Sequence, residues 1–156
     1  LKPHPEGGFY REFFRSPVVL TGDPILKPFG AARTLLTAIY FLLPEGEFSM
    51  FHRLKSDELW VHIDGGPLQI VELAPDGGRI DTLLGSEVGQ QRDYCVSAGA
   101  WFGARPMKQA GYTLSTCLVA PGFEFDDFEI ASRSQLLADF PGEVEIIGEL
   151  TRESGS

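Results

Sequence analysis

Short runs of β-branched and aromatic residues, separated by glycine and proline, dominate the pattern of this chain. They predict strands at residues 9–15, 34–43, 48–54, 58–63, 68–73, 80–84, 94–97 and 112–119. Turn sequences lie between them, at Pro44-Glu45-Gly46, Asp64-Gly65-Gly66-Pro67, Pro75-Asp76-Gly77-Gly78 and Pro121-Gly122. Many short strands joined by such turns are typical of an all-β sandwich or barrel.

One helix is predicted near the end of the chain. Ser132 stands at a capping position, and Gln135 follows three residues later in capping-box spacing. Pro141 ends the helix, and its apolar stripe consists of Leu136, Leu137 and Phe140. Residues 143–150 fit a strand or a short helix, and we favour a short helix. No repeat or linker is visible, so we expect one domain over residues 1–156.

Composition and charge narrow the class of protein. Of the 156 residues, 43% are hydrophobic and 22% are charged, as in an ordinary globular domain. A net charge of −9 repels phosphate backbones and anionic lipid, so we expect neither nucleic acid nor a membrane as partner. Cys95 and Cys117 form no paired framework, which favours two reduced thiols in a cytoplasmic protein.

Two of the three histidines, His52 and His62, lie on neighbouring predicted strands, across a turn at Lys55-Ser56-Asp57. Alternate side chains of a strand share one face, so Glu58, Trp60 and His62 point the same way. If His52 points inward as well, the hairpin brings His52, Glu58, Trp60 and His62 together inside the barrel.

The spacing around this hairpin resembles the first conserved motif of the cupin superfamily. That motif runs from a glycine through a His-x-His pair and a glutamate to a second glycine. Gly46, His52, Glu58 and Gly65 occupy the matching positions, whereas Leu54 stands where the second histidine ligand would be.

The second cupin motif, Pro-x-Gly-x-x-His, is similar to residues 97–102. Ser97 replaces its proline and Phe102 replaces its histidine. Two of the four metal ligands that the resemblance implies are therefore apolar here.

Four blocks along the chain resemble one family within this superfamily. They are residues 4–12, 51–60, 99–104 and 120–129. They are similar to the cupin-5 family of unknown function, an RmlC-like jelly roll. The resemblance implies a cupin β-barrel with a short C-terminal helical segment. It also implies a homodimer, which the need to cover edge strands supports.

The leading hypothesis is a barrel pocket for a small polar molecule, a nucleotide, nucleotide-sugar or sugar phosphate. His52 and Glu58 would bond this ligand, Trp60 would pack on it, and Arg11 or Lys55 would meet a phosphate. The other candidate ligand-binding residues are Tyr40, Ser56, His62, Trp101 and Phe102. Residues 124–129 would form a solvated edge or a loop that closes over the barrel.

Two alternatives remain open. The RmlC-type epimerases that resemble this fold use a barrel histidine as base and a tyrosine as acid. This resemblance implies His52 as the base. Glu58 would orient its ring, and Tyr112 and Tyr40 are the candidate proton donors, although no motif fixes either one. A metal-dependent enzyme would need His52, Glu58 and His62 as ligands, with Cys117 as a remote fourth. No cofactor is expected, and a divalent metal is the alternative.

Overall fold

Two antiparallel sheets enclose the core of the computed structural model, which describes residues 1–22 and 24–153. Residues 154–156, the end of the predicted domain, lie outside the described residues. The six-stranded sheet has the order β1 (Lys2–Pro3), β2 (Phe9–Arg15), β5 (Thr37–Pro44), β12 (Tyr112–Ala120), β7 (Asp57–Gly65) and β10 (Asp93–Val96). The five-stranded sheet has the order β13 (Phe128–Ile130), β6 (Ser49–Leu54), β11 (Trp101–Pro106), β8 (Leu68–Leu73) and β9 (Arg79–Leu84). A separate ribbon pairs β3 (Val19–Leu20) with β4 (Arg33–Thr34).

The pairing registers set which side chains meet inside the barrel. β12 lies between β5 and β7, with Cys117 opposite Ile39 on one side and Trp60 on the other. In the other sheet, Phe102 of β11 lies opposite His52 of β6. Inward positions of both sheets therefore converge around these residues.

Two clusters of buried side chains form the core. The first fills one end of the barrel and consists of Phe41, Leu43, Trp60, Leu68, Ile70, Leu84, Val96, Phe102, Ala104 and Cys117. The second lies where helices α1 (Arg133–Asp139) and α2 (Val144–Glu149) cover the outside of the five-stranded sheet, and includes Phe51, Val71, Leu136, Ile147 and Leu150. The first cluster fills only one end of the barrel. A cavity can therefore form at the other end.

The observed elements confirm the predicted all-β class and the short helical C-terminus. Residues 143–150 contain α2, as favoured from the sequence. Ser132 is the N-cap of α1, but it makes no side-chain capping bond; its Oγ lies 3.0 Å from Ser134 Oγ, and Gln135 donates forward to Asp139 Oδ1 at 3.0 Å. The sequence pattern missed β11, which carries Trp101 and Phe102.

The outer face of β2 and β5 is apolar and exposed. Phe13 and Phe14 are 44% and 45% exposed, and the Phe13 ring centroid lies 4.4 Å from that of Tyr40. The guanidinium carbon of Arg11 lies 5.5 Å from the same Tyr40 ring. Tyr40 thus lies on the outside of the barrel.

Neither α1 nor α2 is long and apolar enough to cross a bilayer, and no other helix of the described residues is either.

Candidate functional site in the barrel

A half-enclosed cavity of about 560 Å³ occupies the open end of the barrel. One wall comes from the six-stranded sheet, through Thr37, Ile39, Phe41, Glu58, Cys117 and Val119. His52 and Leu54 of β6 form the opposite wall, and the N-terminal segment adds His4, Glu6 and Tyr10. Residues 123–128, called the flap below, cover the mouth with Phe123, Glu124, Phe125 and Phe128.

A buried histidine–glutamate pair lies in this cavity. His52 Nδ1 lies 2.7 Å from the Met50 carbonyl oxygen, which can only accept, so Nδ1 carries a proton. The other ring nitrogen, Nε2, lies 3.2 Å from Glu6 Oε2. In a neutral His52 this nitrogen carries no proton, so it lies unprotonated beside the Glu6 carboxyl.

Two further groups hold the Glu6 carboxyl in place. The Ser49 hydroxyl donates to Glu6 Oε1 at 2.8 Å. His4 Nδ1 accepts from the backbone N–H of Glu6 at 3.2 Å and lies 3.5 Å from Glu6 Oε2. Glu6 therefore stands between two imidazole rings with both carboxyl oxygens engaged.

Burial favours the neutral forms of Glu6, His52 and His4. Desolvation raises the pKa of Glu6 to about 8 and lowers the pKa of His52 to about 4. Burial, and then the nearby His52, lower the pKa of His4 to about 4 as well. At neutral pH a protonated Glu6 carboxyl therefore lies beside a neutral His52 ring.

Glu58 is a second buried carboxyl in the same cavity. Desolvation and then the charge of Glu6 raise its pKa to about 8, and these outweigh the opposing effects of Cys117 and Trp60. Its Oε2 atom has no hydrogen-bond partner among the residues that the structure describes. Burial raises the pKa of the Cys117 thiol well above its usual value, so it is a poor nucleophile at neutral pH.

Aromatic rings surround His4 beneath the flap. Its ring centroid lies 4.7 Å from Tyr10, 5.8 Å from Phe41 and 5.6 Å from Phe128. Phe123 and Phe125 complete this group at 6.4 and 5.9 Å. Aromatic rings therefore border the polar centre of the cavity on the side of His4.

Two arginines hold the flap over the cavity. Arg33 makes a buried two-pronged ion pair with Asp127, at 2.7 and 2.8 Å. Arg15, which is also paired with Glu12, donates to Glu124 Oε1 at 3.0 Å and to the Phe123 carbonyl oxygen at 3.3 Å. The acidic segment expected to be an edge or a closing loop thus covers the barrel.

Comparisons with known proteins identify the family. The family described as Cupin_5, Cupin superfamily (DUF985), matches residues 1–131. The chain belongs to this cupin family. A solved hypothetical protein from Leishmania major is 35% identical, with a TM-score of 0.88 over 97% of this chain and 93% of that one. A solved protein from Shewanella oneidensis is 39% identical, with a TM-score of 0.85 over 98% and 92%.

More distant structures share only the fold. Oxalate decarboxylase from Bacillus subtilis is 13% identical, with a TM-score of 0.58 over 97% of this chain and 37% of that one. The comparison with curated proteins found no match. The predicted family and the predicted cupin jelly roll are confirmed. The cupin superfamily includes both small-molecule-binding proteins and metal-dependent enzymes.

The structure brings only some of the candidate residues to the cavity. His52 and Glu58 both line it, at the positions that match the first cupin motif. Phe102 lies beneath, with its ring centroid 4.2 Å from that of His52, and Trp60 is buried in the core behind it. Arg11 borders the cavity, although its guanidinium lies over Tyr40.

His62 and Tyr112 lie away from the cavity. His62 lies four positions along β7 from Glu58, a distance of about 13 Å, with Trp60 between them. His62 Nε2 lies 3.2 Å from the Gly66 carbonyl oxygen. Tyr112 is exposed and donates to Asp64 Oδ2 at 2.6 Å.

Three other candidates contact different parts of the cupin. Lys55 lies in a separate depression beside residues 126–129. The Ser56 hydroxyl donates to the Pro121 carbonyl oxygen at 2.7 Å. The guanidinium carbon of Arg53 lies 4.3 Å from the Trp101 ring, which packs on the helix side of the sheet.

Sequence reasoning missed the roles of His4 and Glu6. A signal was present in Gly7, which follows Glu6 and has φ +114°. A Cβ atom there would lie 2.0 Å from the Phe48 carbonyl oxygen, so the segment needs glycine to pass close to the chain before β6. That close passage places Glu6 inside the barrel.

The side chains of this cavity do not match the metal ligands of the two cupin motifs. Leu54 lines the cavity where a histidine ligand would be, and the Phe102 ring fills the space beside His52. Across residues 1–22 and 24–153, no three His, Cys, Asp or Glu side chains form a group that could hold a metal ion. We therefore assign no reaction step in this cavity to a metal.

Because Glu6 and Glu58 are buried, we expect the free energy of unfolding to fall as the pH rises above neutral. Glu6 and Glu58 have pKa values of about 8 when folded and 4.5 ordinarily, so between these values the folded state binds more protons than the unfolded chain. His4 and His52 act oppositely below pH 6.5, because their folded pKa values of about 4 make acid favour unfolding. The free energy of unfolding should therefore be nearly flat from about pH 4.5 to 6.5 and fall above it.

Between pH 6.5 and 8, we expect a loss of about 1–2 kcal/mol for each carboxyl. Urea denaturation across this range measures the loss. Glu58→Gln should remove its share of the decline, whereas the exposed Glu145→Gln should leave the profile unchanged. A profile of the same slope in wild type and Glu58→Gln would contradict the assignment.

Proposed function

We propose that this cupin binds a small polar organic molecule in the barrel cavity. A volume of about 560 Å³ is in the range of ligand pockets, and the lining combines apolar rings with a few polar groups. The observation that carries the proposal is Glu58, which lines the cavity and whose buried Oε2 atom has no hydrogen-bond partner among the described residues. Such an atom costs about 1–3 kcal/mol, which a ligand donor would offset.

The ligand class expected from the sequence was a nucleotide, nucleotide-sugar or sugar phosphate. Two carboxyls lie in the interior, so a phosphate would favour the rim, where Lys2 and Arg11 stand. Arg15 is occupied by Glu12 and Glu124, and Lys55 lies in another depression. This class remains a prediction, with the sugar or nucleoside portion inside and any phosphate outside.

A melting-temperature panel of sugars, nucleosides, sugar phosphates and nucleotides tests the proposal. A ligand at one hundred times its Kd stabilises the folded state by about 2.7 kcal/mol, which raises the Tm by several degrees. Leu54→Phe, which fills the cavity, should abolish the rise. The matched variant Leu59→Phe, at a partly exposed outer position of β7, should keep it.

Retention of the ligand-induced rise in Leu54→Phe would contradict the proposed cavity. A panel in which no compound stabilises the wild-type protein would contradict the proposed ligand class.

Proton-transfer isomerisation is a second candidate, which the unprotonated Nε2 of His52 inside the cavity favours. This nitrogen would accept a proton from a carbon next to a carbonyl, leaving an imidazolium beside Glu6. Glu58, protonated at neutral pH and lining the cavity, would return a proton in place of Tyr112. The panel incubated in deuterium oxide should show deuterium at a ligand carbon, lost in His52→Asn. A ligand that binds without any wash-in would contradict this function.

The homodimer expected from the sequence also remains a proposal. The exposed apolar face that carries Phe13 and Phe14, on the outside of the six-stranded sheet, supports pairing with a second copy.

A further inference from the structure

We propose that the inner end of the cavity, formed by His4, Glu6, His52 and Glu58, binds a positively charged nitrogen of the ligand. The expected class is an organic ammonium or amidinium. This inference rests on the proposed function, since it specifies the charge of the group that reaches Glu58.

The first support is the distribution of charge. Glu6 and Glu58 are only 5% and 7% exposed, and both face the same cavity. Of the described residues that line it, the permanently cationic ones stay near the mouth. Lys2 is exposed, with its Nζ 5.2 Å from the Tyr10 ring centroid, and Arg11 lies over Tyr40 on the outside.

Arg15, the third cation of the lining, has its guanidinium bound by two carboxylates. Its Nε lies 2.8 Å from Glu12 Oε1, and its Nη1 lies 3.0 Å from Glu124 Oε1. A positive charge beside Glu58 must therefore come from the ligand. An anionic group there would face two carboxyls and no compensating cation.

The second support is the unpartnered Glu58 Oε2. An ammonium brings N–H donors to this atom and lets the carboxyl ionise, which forms a charge-assisted hydrogen bond. A neutral hydroxyl can bond the same atom but leaves the carboxyl protonated. Binding of a cation should therefore release a proton, whereas binding of a neutral ligand should not.

The third support is the aromatic wall. Tyr10, Phe41 and Phe128 border the cavity within 6 Å of the His4 ring, and so does Phe125 of the flap. Aromatic faces attract a desolvated cation, so this wall compensates for part of the hydration that an ammonium loses. The combination of buried carboxyls with aromatic rings favours a cation over an uncharged polar group.

Two sets of related probes with cationic, neutral and anionic members test the inference. One set is glucosamine, glucose and glucose 6-phosphate; another is phenethylammonium, 2-phenylethanol and 3-phenylpropionate. Titration calorimetry at pH 6.5 should give the ammonium of at least one set a Kd about tenfold lower than its neutral counterpart. Repeating it in buffers of different protonation enthalpy should show proton release for the ammonium alone.

Glu58→Gln should raise the Kd of the ammonium about tenfold and leave that of the neutral probe unchanged. Glu6→Gln provides a second variant should the first not fold, and Glu145→Gln is the control that should behave as wild type. Tighter binding of a neutral or anionic member overturns the cation assignment and leaves the proposed function standing. A preference for ammonium that persists in both carboxyl variants also overturns it. Absence of binding by every probe, together with no response in the wider ligand panel, overturns both proposals.

Discussion

Asp127→Asn is expected to lower the free energy of unfolding by about 3–5 kcal/mol, because it leaves the Arg33 guanidinium buried without its counter-charge. Arg33 and Asp127 are only 5% and 6% exposed, and they join β4 to the flap through two hydrogen bonds. The same variant should loosen residues 123–128, which cover the cavity. Urea denaturation measures the first effect, and amide hydrogen exchange in the flap measures the second.

Glu129→Gln is the matched control. Glu129 lies two residues further along the chain and also pairs with an arginine, Arg53, but this pair is exposed. Solvent screens exposed ion pairs, so the expected loss is below about 1 kcal/mol. Equal losses in the two variants would show that burial of the Arg33–Asp127 pair is not what stabilises the flap.

Phe102→Ala is expected to destabilise the protein by about 3–5 kcal/mol. The Phe102 ring is 1% exposed and packs between His52 and Trp60, with centroids at 4.2 and 6.2 Å. Its removal leaves a void beneath the cavity and frees the His52 ring to tilt away from Glu6. Chemical denaturation should therefore show a large loss of stability together with weaker binding of any ligand found in the panel.

Phe102→Leu separates volume from the aromatic ring. Leucine retains most of the apolar bulk, so its cost should be smaller, about 1–2 kcal/mol. If the alanine and leucine variants lose the same stability, a void under the cavity is not the cause.

The fold could be predicted because its signals are local. Glycine and proline mark the turns, and the spacing from Gly46 to Gly65 spans β6 and β7, which connect the two sheets of the barrel. The strand β11 was missed because its six residues include a glycine and end in proline, so they do not stand out as a strand. Pairing with β6 and β8 compensates for this weak propensity.

The candidate site could be predicted only in part, because half of it comes from distant contacts. His52 and Glu58 flank one turn, but the predicted hairpin was wrong: β6 and β7 lie in different sheets, so the two side chains face each other from opposite walls of the cavity. Glu6 comes from the N-terminal segment; Gly7 indicates that this segment passes close to another part of the chain, but it does not identify His52 as the neighbour of Glu6. Tyr40 was misplaced because alternation fixes which residues share a face but not which face is inside; its neighbours Ile39 and Phe41 are the ones that line the cavity.

The dispersed origin of the cavity has a consequence for folding experiments. Glu6, His52 and Cys117 come from the beginning, middle and end of the barrel sequence, so no hairpin or isolated sheet assembles the pocket by itself. Recovery of ligand affinity during refolding should therefore lag behind the appearance of β-structure and coincide with final docking of the first strands. A bound probe would serve as a reporter for completion of the native state.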